Sequence, residues 1–246
     1  MRHLIIALVA ATSLAAPALA DRVNIAVAAN FTDAANEIAA AFAEASGHEP
    51  VLSFGASGQF YTQIMQGAPF DVFLSADAAR PALAVAGGYG VEGSIFTYAI
   101  GQLVLYSIEP DRVTGPEVLA AGDFQQIAIA NPETAPYGQA AIETMQSLGV
   151  HGALASKIVQ GQSIGQAFQF VQTGNAELGF VALGQISQTD AGSRWVVPQE
   201  HYTPINQDAI LLKTGENNPA ATAFLEFMQG DAAAAIIEKY GYALDR

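Results

Sequence analysis

The stretch "VLSFGASGQFYTQIMQGAPFDVFLSAD", Val51–Asp77, holds a strand–turn–helix–strand unit. Val51–Phe54 is an apolar, strand-like run. Gly55–Gly58 is a small-residue turn, after which Phe60, Ile64 and Met65 recur at helical spacing. Phe70–Ala76 is β-rich again. Such alternation predicts parallel strands joined by crossover helices. A Gly/Ser turn between a strand end and a helix start also gathers backbone N–H groups where the helix dipole favours negative charge. Yet the stretch contains no Lys or Arg, and the 246-residue chain carries a formal net charge of -14. An anion held here must be held by neutral donors.

The same alternation runs outward in both directions. "VNIAVAA" (23–29) reads as a strand, and Phe31, Ala35, Ile38 and Phe42 follow at helical spacing, with Asn30 or Thr32 as candidate N-cap. Residues 77–88 read as a helix that stops at glycines. A second unit follows with strands at 126–130, 157–160 and 177–182, and helices after "NPETAPYG" and "GQSIG". The long β-like run Phe96–Ile108 and the return run Ile205–Leu212 read as connecting strands. The expected fold class is therefore α/β with two lobes, each a mixed or parallel sheet flanked by helices, and a ligand in the interlobe cleft. Lobe 1 is expected to hold residues 21–100 plus 206–246, and lobe 2 residues 101–205.

Composition narrows the function. Residues 1–20 have a basic start at Arg2, an apolar run from Leu4 to Ala11 and an Ala18-Leu19-Ala20 cleavage pattern, which is the anatomy of a secretory signal. The apolar run is too short to span a bilayer, which needs about 20 residues. Removing the segment takes away Arg2 and leaves the mature chain one charge more negative. The expected location is the periplasm. With no cysteine, the chain has no disulfide, thiolate metal site or cysteine nucleophile. The acidic balance argues against nucleic acid, whose binding needs clustered Lys and Arg. A monomer is expected.

Four times, a strand feeds a small polar turn and then a helix: at Ala29-Asn30, at Ser57-Gly58, at Pro136-Tyr137-Gly138 and at Ser163-Ile164. Open parallel sheets bind ligands beyond the carboxyl ends of their strands, so four such corners facing one cleft make a neutral pocket rich in donors. Other constellations fall away. "FGASGQ" lacks the lysine of a P-loop. Gly88–Gly93 matches GxGxxG but follows a helix, so it reads as a helix stop and turn. His48, His151 and His201 lie far apart in likely loops without metal-ligand spacing, and read as solvated surface residues. Ser57 has no GxSxG context, which leaves a periplasmic serine hydrolase as the alternative from another class. Asn30-Phe31-Thr32 fits the glycosylation sequon, but a strand-to-helix corner suits an N-cap better. Arg80 is expected in a helix away from the four turns.

The segments "AVAANFTDAANEIAAAF", Val51–Asp77, "FTYAIGQLVLYS", "ANPETAPYG", "NAELGFVALGQI" and "NQDAILL" together resemble the periplasmic molybdate-binding proteins of ABC transporters. The likeness covers the mature chain in order. It implies a type II periplasmic binding fold that closes on a tetrahedral oxyanion, no enzymatic activity, no cofactor, molybdate or tungstate as ligand, and a membrane permease as partner. It also implies site residues: Ala29 and Asn30 at the first turn, Ser57 and the Gly58 amide at the second, the Tyr137 amide at the third and the Ile164 amide at the fourth. One branch of the family adds a tyrosine hydroxyl where this chain has Ala182; the Tyr137 hydroxyl is the expected replacement. A deprotonated dianion accepts hydrogen bonds and offers none, so such a site needs donors and excludes carboxylates. Sulfate and phosphate are the alternative oxyanions.

Overall fold

A computed structural model describes residues 20–245. The segment expected to be a secretory signal, residues 1–20, lies almost wholly outside the described residues. The chain builds two five-stranded sheets. The first contains β1 (Arg22–Ala28), β2 (Glu49–Gly55), β3 (Val72–Leu74), β4 (Phe96–Gly101) and β10 (Ile205–Leu211), in the order β2-β1-β3-β10-β4. The second contains β5 (Leu103–Ser107), β6 (Ile127–Ala130), β7 (Ile158–Gly161), β8 (Leu178–Ala182) and β9 (Ser193–Val196), in the order β7-β6-β8-β5-β9.

The two orders share one plan. β1 pairs in parallel with β2 and β3, just as β6 pairs in parallel with β7 and β8. In each sheet the next strand is antiparallel: β10 against β3, and β5 against β8. The inner parallel strands β1 and β6 are short apolar runs buried on both faces, with Ile25, Ala26 and Val27 in one sheet and Ile127, Ala128 and Ile129 in the other all at 0% exposure. Helices cover both faces, as parallel sheets require.

The run Phe96–Ile108 is two strands. β4 ends at Gly101 in the first sheet and β5 begins at Leu103 in the second. The chain returns between β9 and β10. The hydrophobic pattern is continuous across Gln102 because both strands are buried, so periodicity alone could not reveal the crossing. The C-terminal helices Pro219–Met228 and Asp231–Lys239 pack back on the first sheet, where Phe224, Met228 and Ile237 join Val23, Ile25 and Phe42 in one core. Among the described residues, no helix is long and apolar enough to cross a membrane.

Candidate oxyanion site between the sheets

Four of the parallel strands, β1, β2, β6 and β7, each hand the chain to a helix beyond the carboxyl end. β1 passes through a short 3-10 turn, Ala29–Phe31, into the helix Thr32–Ser46. β2 leads to the helix Ser57–Met65, β6 to Pro136–Ser147 and β7 to Ile164–Gln172. The four starts converge on a small cavity, which is lined by Ala28, Ala29, Asn30, Gly55, Ala56, Ser57, Ala76, Ala135, Pro136, Tyr137 and Ile164. No lining residue is charged. Ser57 and Tyr137 are 1% exposed, and Asn30 and Ile164 are 3% exposed.

The first amides of a helix have no partner within it, so the residues at these starts present unused N–H groups beside a favourable dipole. Ser57 is the first residue of its helix, and Ala56 occupies the cap position with no side-chain cap. The Ser57 Oγ instead accepts the Ala76 N–H at 2.9 Å, across from the end of β3. That bond fixes the hydroxyl and leaves its proton free to donate. Ser57 is thus not the N-cap of its helix.

The fourth corner uses its serine differently. Ser163 is a true N-cap and accepts the Gln166 N–H, leaving Ile164 to offer its backbone. Gln185 braces this corner from the short helix Leu183–Ile186 that follows β8: its Oε1 accepts the Ala182 N–H at 2.9 Å, and its Nε2 donates to the Ile164 carbonyl at 3.2 Å.

Gly58 is placed differently from the other predicted residues. It lies at the rim, and its N–H donates to the Thr134 carbonyl at 2.8 Å across the cleft. A Cβ at Gly58 would lie 2.9 Å from the Thr134 Cα, so a side chain there would hold the lobes apart. Arg80 is also placed otherwise than expected. Its guanidinium pairs with Asp77 and donates to the Glu133 carbonyl at 3.1 Å, beside the second and third turns. Arg80 and Glu133 lie 53 positions apart in the chain, which is why spacing missed the contact. Because Asp77 neutralises Arg80, the site still gains no uncompensated cation.

The Asn30 side chain lies in a buried polar cluster. Its Nδ2 donates to Gln207 Oε1 at 2.7 Å and to Tyr242 Oη at 3.2 Å, and the Tyr242 hydroxyl donates to the Asn30 carbonyl at 2.7 Å. At 3% exposure Asn30 is inaccessible to glycosylation in the folded chain. Burial raises the hydroxyl pKa of Tyr98, Tyr137 and Tyr242, so all three stay protonated at neutral pH. Among the described residues, no group of three or more His, Asp or Glu side chains is placed to hold a metal ion.

The geometry is that of a bilobal binding protein, and comparison with known sequences agrees. Residues 23–243 match the family described as bacterial extracellular solute-binding protein, and the chain belongs to that family. Within it, the chain is 55% identical to the molybdate-binding protein ModA of Rhodobacter capsulatus, over 97% of this chain and 95% of that one. It is 48% identical to ModA of Azotobacter vinelandii, over 99% and 98%. The solved structure of an Azotobacter vinelandii periplasmic molybdate-binding protein superposes with a TM-score of 0.88 at 41% identity, covering 91% of this chain and all of that one.

Proposed function

We propose that this protein binds molybdate, and tungstate alongside it, in the cavity between its sheets, and delivers the anion to the membrane permease of an ABC importer. The observation that carries the reading is the convergence of four helix starts on a buried, uncharged cavity that offers donors and no carboxylate. Each N–H or O–H bond to an anion contributes roughly 1.5–3 kcal/mol. Several such bonds, with the helix dipoles, offset desolvation of a dianion without a buried cation. The ligand groups are the Ser57 hydroxyl and amide, the amides at Ala29-Asn30, Tyr137 and Ile164, and the Tyr137 hydroxyl. Gly58 supports the site by closing the lobes through Thr134.

The chain acts as a periplasmic monomer without cofactor or nucleic acid, exported by its first 20 residues. Its lobes comprise residues 21–100 with 206–246, and 101–205. Phosphate at neutral pH carries a proton that needs an acceptor, and the cavity lining has no carboxylate for it. Sulfate has molybdate's charge in a smaller ion, and donors on rigid helix starts would leave some of its bonds long. Hydrolysis by Ser57 is disfavoured because the hydroxyl's partner is an amide donor, Ala76, and not a base.

Thermal unfolding with molybdate, tungstate, sulfate and phosphate tests the reading, since a tight ligand raises the midpoint through RT ln(1 + [L]/Kd). Large, similar shifts with molybdate and tungstate are expected, with little or none from phosphate. An equal shift with sulfate would falsify the selectivity.

A further inference from the structure

Where β4 and β10 leave the first sheet, two buried side-chain atoms lack a hydrogen-bond partner: Tyr137 Oη and Gln207 Nε2. Tyr137 is 1% exposed and Gln207 0%. They flank the same glycine. A Cβ at Gly101 would lie 2.1 Å from Tyr137 Oη and 3.1 Å from Gln207 Nε2. The pair therefore sits at the crossing between the lobes. One member comes from the third oxyanion corner and the other from a strand of the opposite lobe.

Proton counting fixes which way the cluster runs. The Tyr242 hydroxyl has one proton, and it donates to the Asn30 carbonyl. Its lone pairs can then only accept, so Asn30 presents its NH2 to Tyr242. The same NH2 faces Gln207 at 2.7 Å, so Gln207 must present its oxygen there. The Gln207 NH2 is thereby turned to the other side, against Gly101 and Tyr137. An amide donor beside a phenol makes the phenol oxygen the acceptor, and the phenol proton is left for another partner.

We propose that Gln207 is a positioning residue for oxyanion binding: its Nε2–H donates to Tyr137 Oη, which commits the Tyr137 proton to an anion oxygen in the cavity that Tyr137 lines. The inference rests on the reading of that cavity as an oxyanion site. It ties the Asn30 corner of one lobe to the Tyr137 corner of the other beneath the ligand. Because the two unpartnered atoms lie at the crossing, a small hinge adjustment as the lobes grip the anion completes the bond. An unpaired buried donor is costly, so completing it favours the liganded state.

The test is calorimetric titration of molybdate into the full mature protein and into Gln207→Glu, Tyr137→Phe and the double variant, at pH 8 and pH 6. The groups around position 207 are the phenols of Tyr98, Tyr137 and Tyr242, with Asp33, Asp77 and Asp208 as carboxylates coupled to that cluster. Burial and these carboxylates raise the pKa of a glutamate placed there. At pH 8 its carboxylate accepts from both Asn30 and Tyr137 and takes the phenol proton from the anion. Q207E should bind at least about tenfold more weakly than the unaltered protein at pH 8 and recover towards pH 6, where a protonated carboxyl donates as the amide did. The unaltered protein should show little change over that interval. The double variant should be no weaker than the weaker single variant at pH 8, since both remove the same bond. Additive losses, or full affinity of Q207E at pH 8, overturn the inference. If Q207E does not fold, Gln207→Met, uncharged and of similar length, carries the same cycle with Y137F. Failure of the unaltered protein to bind molybdate overturns the oxyanion reading itself, and is distinguishable because no variant is involved.

Discussion

Ser57 and Ser163 stand one residue apart in equivalent corners. β2 and β7 occupy the same edge position in their sheets, and each feeds a nine-residue helix. In the first lobe the serine is the first helical residue, the cap position holds Ala56, and the hydroxyl is tied to Ala76. In the second lobe the serine is the cap, its hydroxyl serves Gln166, and the first helical residue is Ile164. A shift of one position along a helix start decides whether a hydroxyl caps the helix or stays at the cavity wall. A cap oxygen folds back on the N2 or N3 amide, whereas the residue after it projects beyond the strand end. At these two corners, on the proposed reading, Ser57 brings a side-chain and a backbone donor to the cavity, and Ile164 a backbone donor alone.

Substitutions can break this contrast. Ser57→Ala should produce the largest loss, about 1.5–3 kcal/mol of molybdate affinity, or roughly ten- to a hundredfold by calorimetry. It should also lower the melting temperature of the ligand-free protein, because the buried Ala76 N–H loses its acceptor. Gly58→Ala should weaken binding by roughly tenfold by calorimetry, since its Cβ would lie 2.9 Å from the Thr134 Cα across the cleft. Ser163→Ala should show the reverse pattern to Ser57→Ala: about 1 kcal/mol lost from stability in denaturant titration, and affinity kept within about threefold. Equal affinity losses at the two serines would dissolve the contrast. Ile164→Val keeps the amide and should be the mildest, with affinity unchanged and about 0.5–1.5 kcal/mol of stability lost to a thinner contact.

Much of the plan was legible because it depends on local pattern. Buried parallel strands appear as apolar runs, and glycines and small polar residues mark where they turn into helices, so the α/β class and the four corners follow from the order of residues. The corner residues Ala29, Asn30, Ser57, Tyr137 and Ile164 do line one cavity. Illegible were the contacts between segments distant in sequence. Gln207 lies 177 residues from Asn30, Tyr242 lies 212 residues from it, and Arg80 reaches Glu133 across 53. No periodicity records such pairings.

The sequence by itself determined the alternation of strands and helices, the small-residue corners and the shortage of cations that commits any anion site to neutral donors. Tertiary structure decided what each donor does. It placed Ser57 after its cap and not at it, turned the Gly58 amide to Thr134, and brought Tyr137 and Gln207 together at Gly101 with Asn30 behind Gln207. The reason is physical. Secondary structure follows from neighbours along the chain, whereas the direction of a hydroxyl or amide proton follows from whichever acceptors the fold brings within about 3 Å.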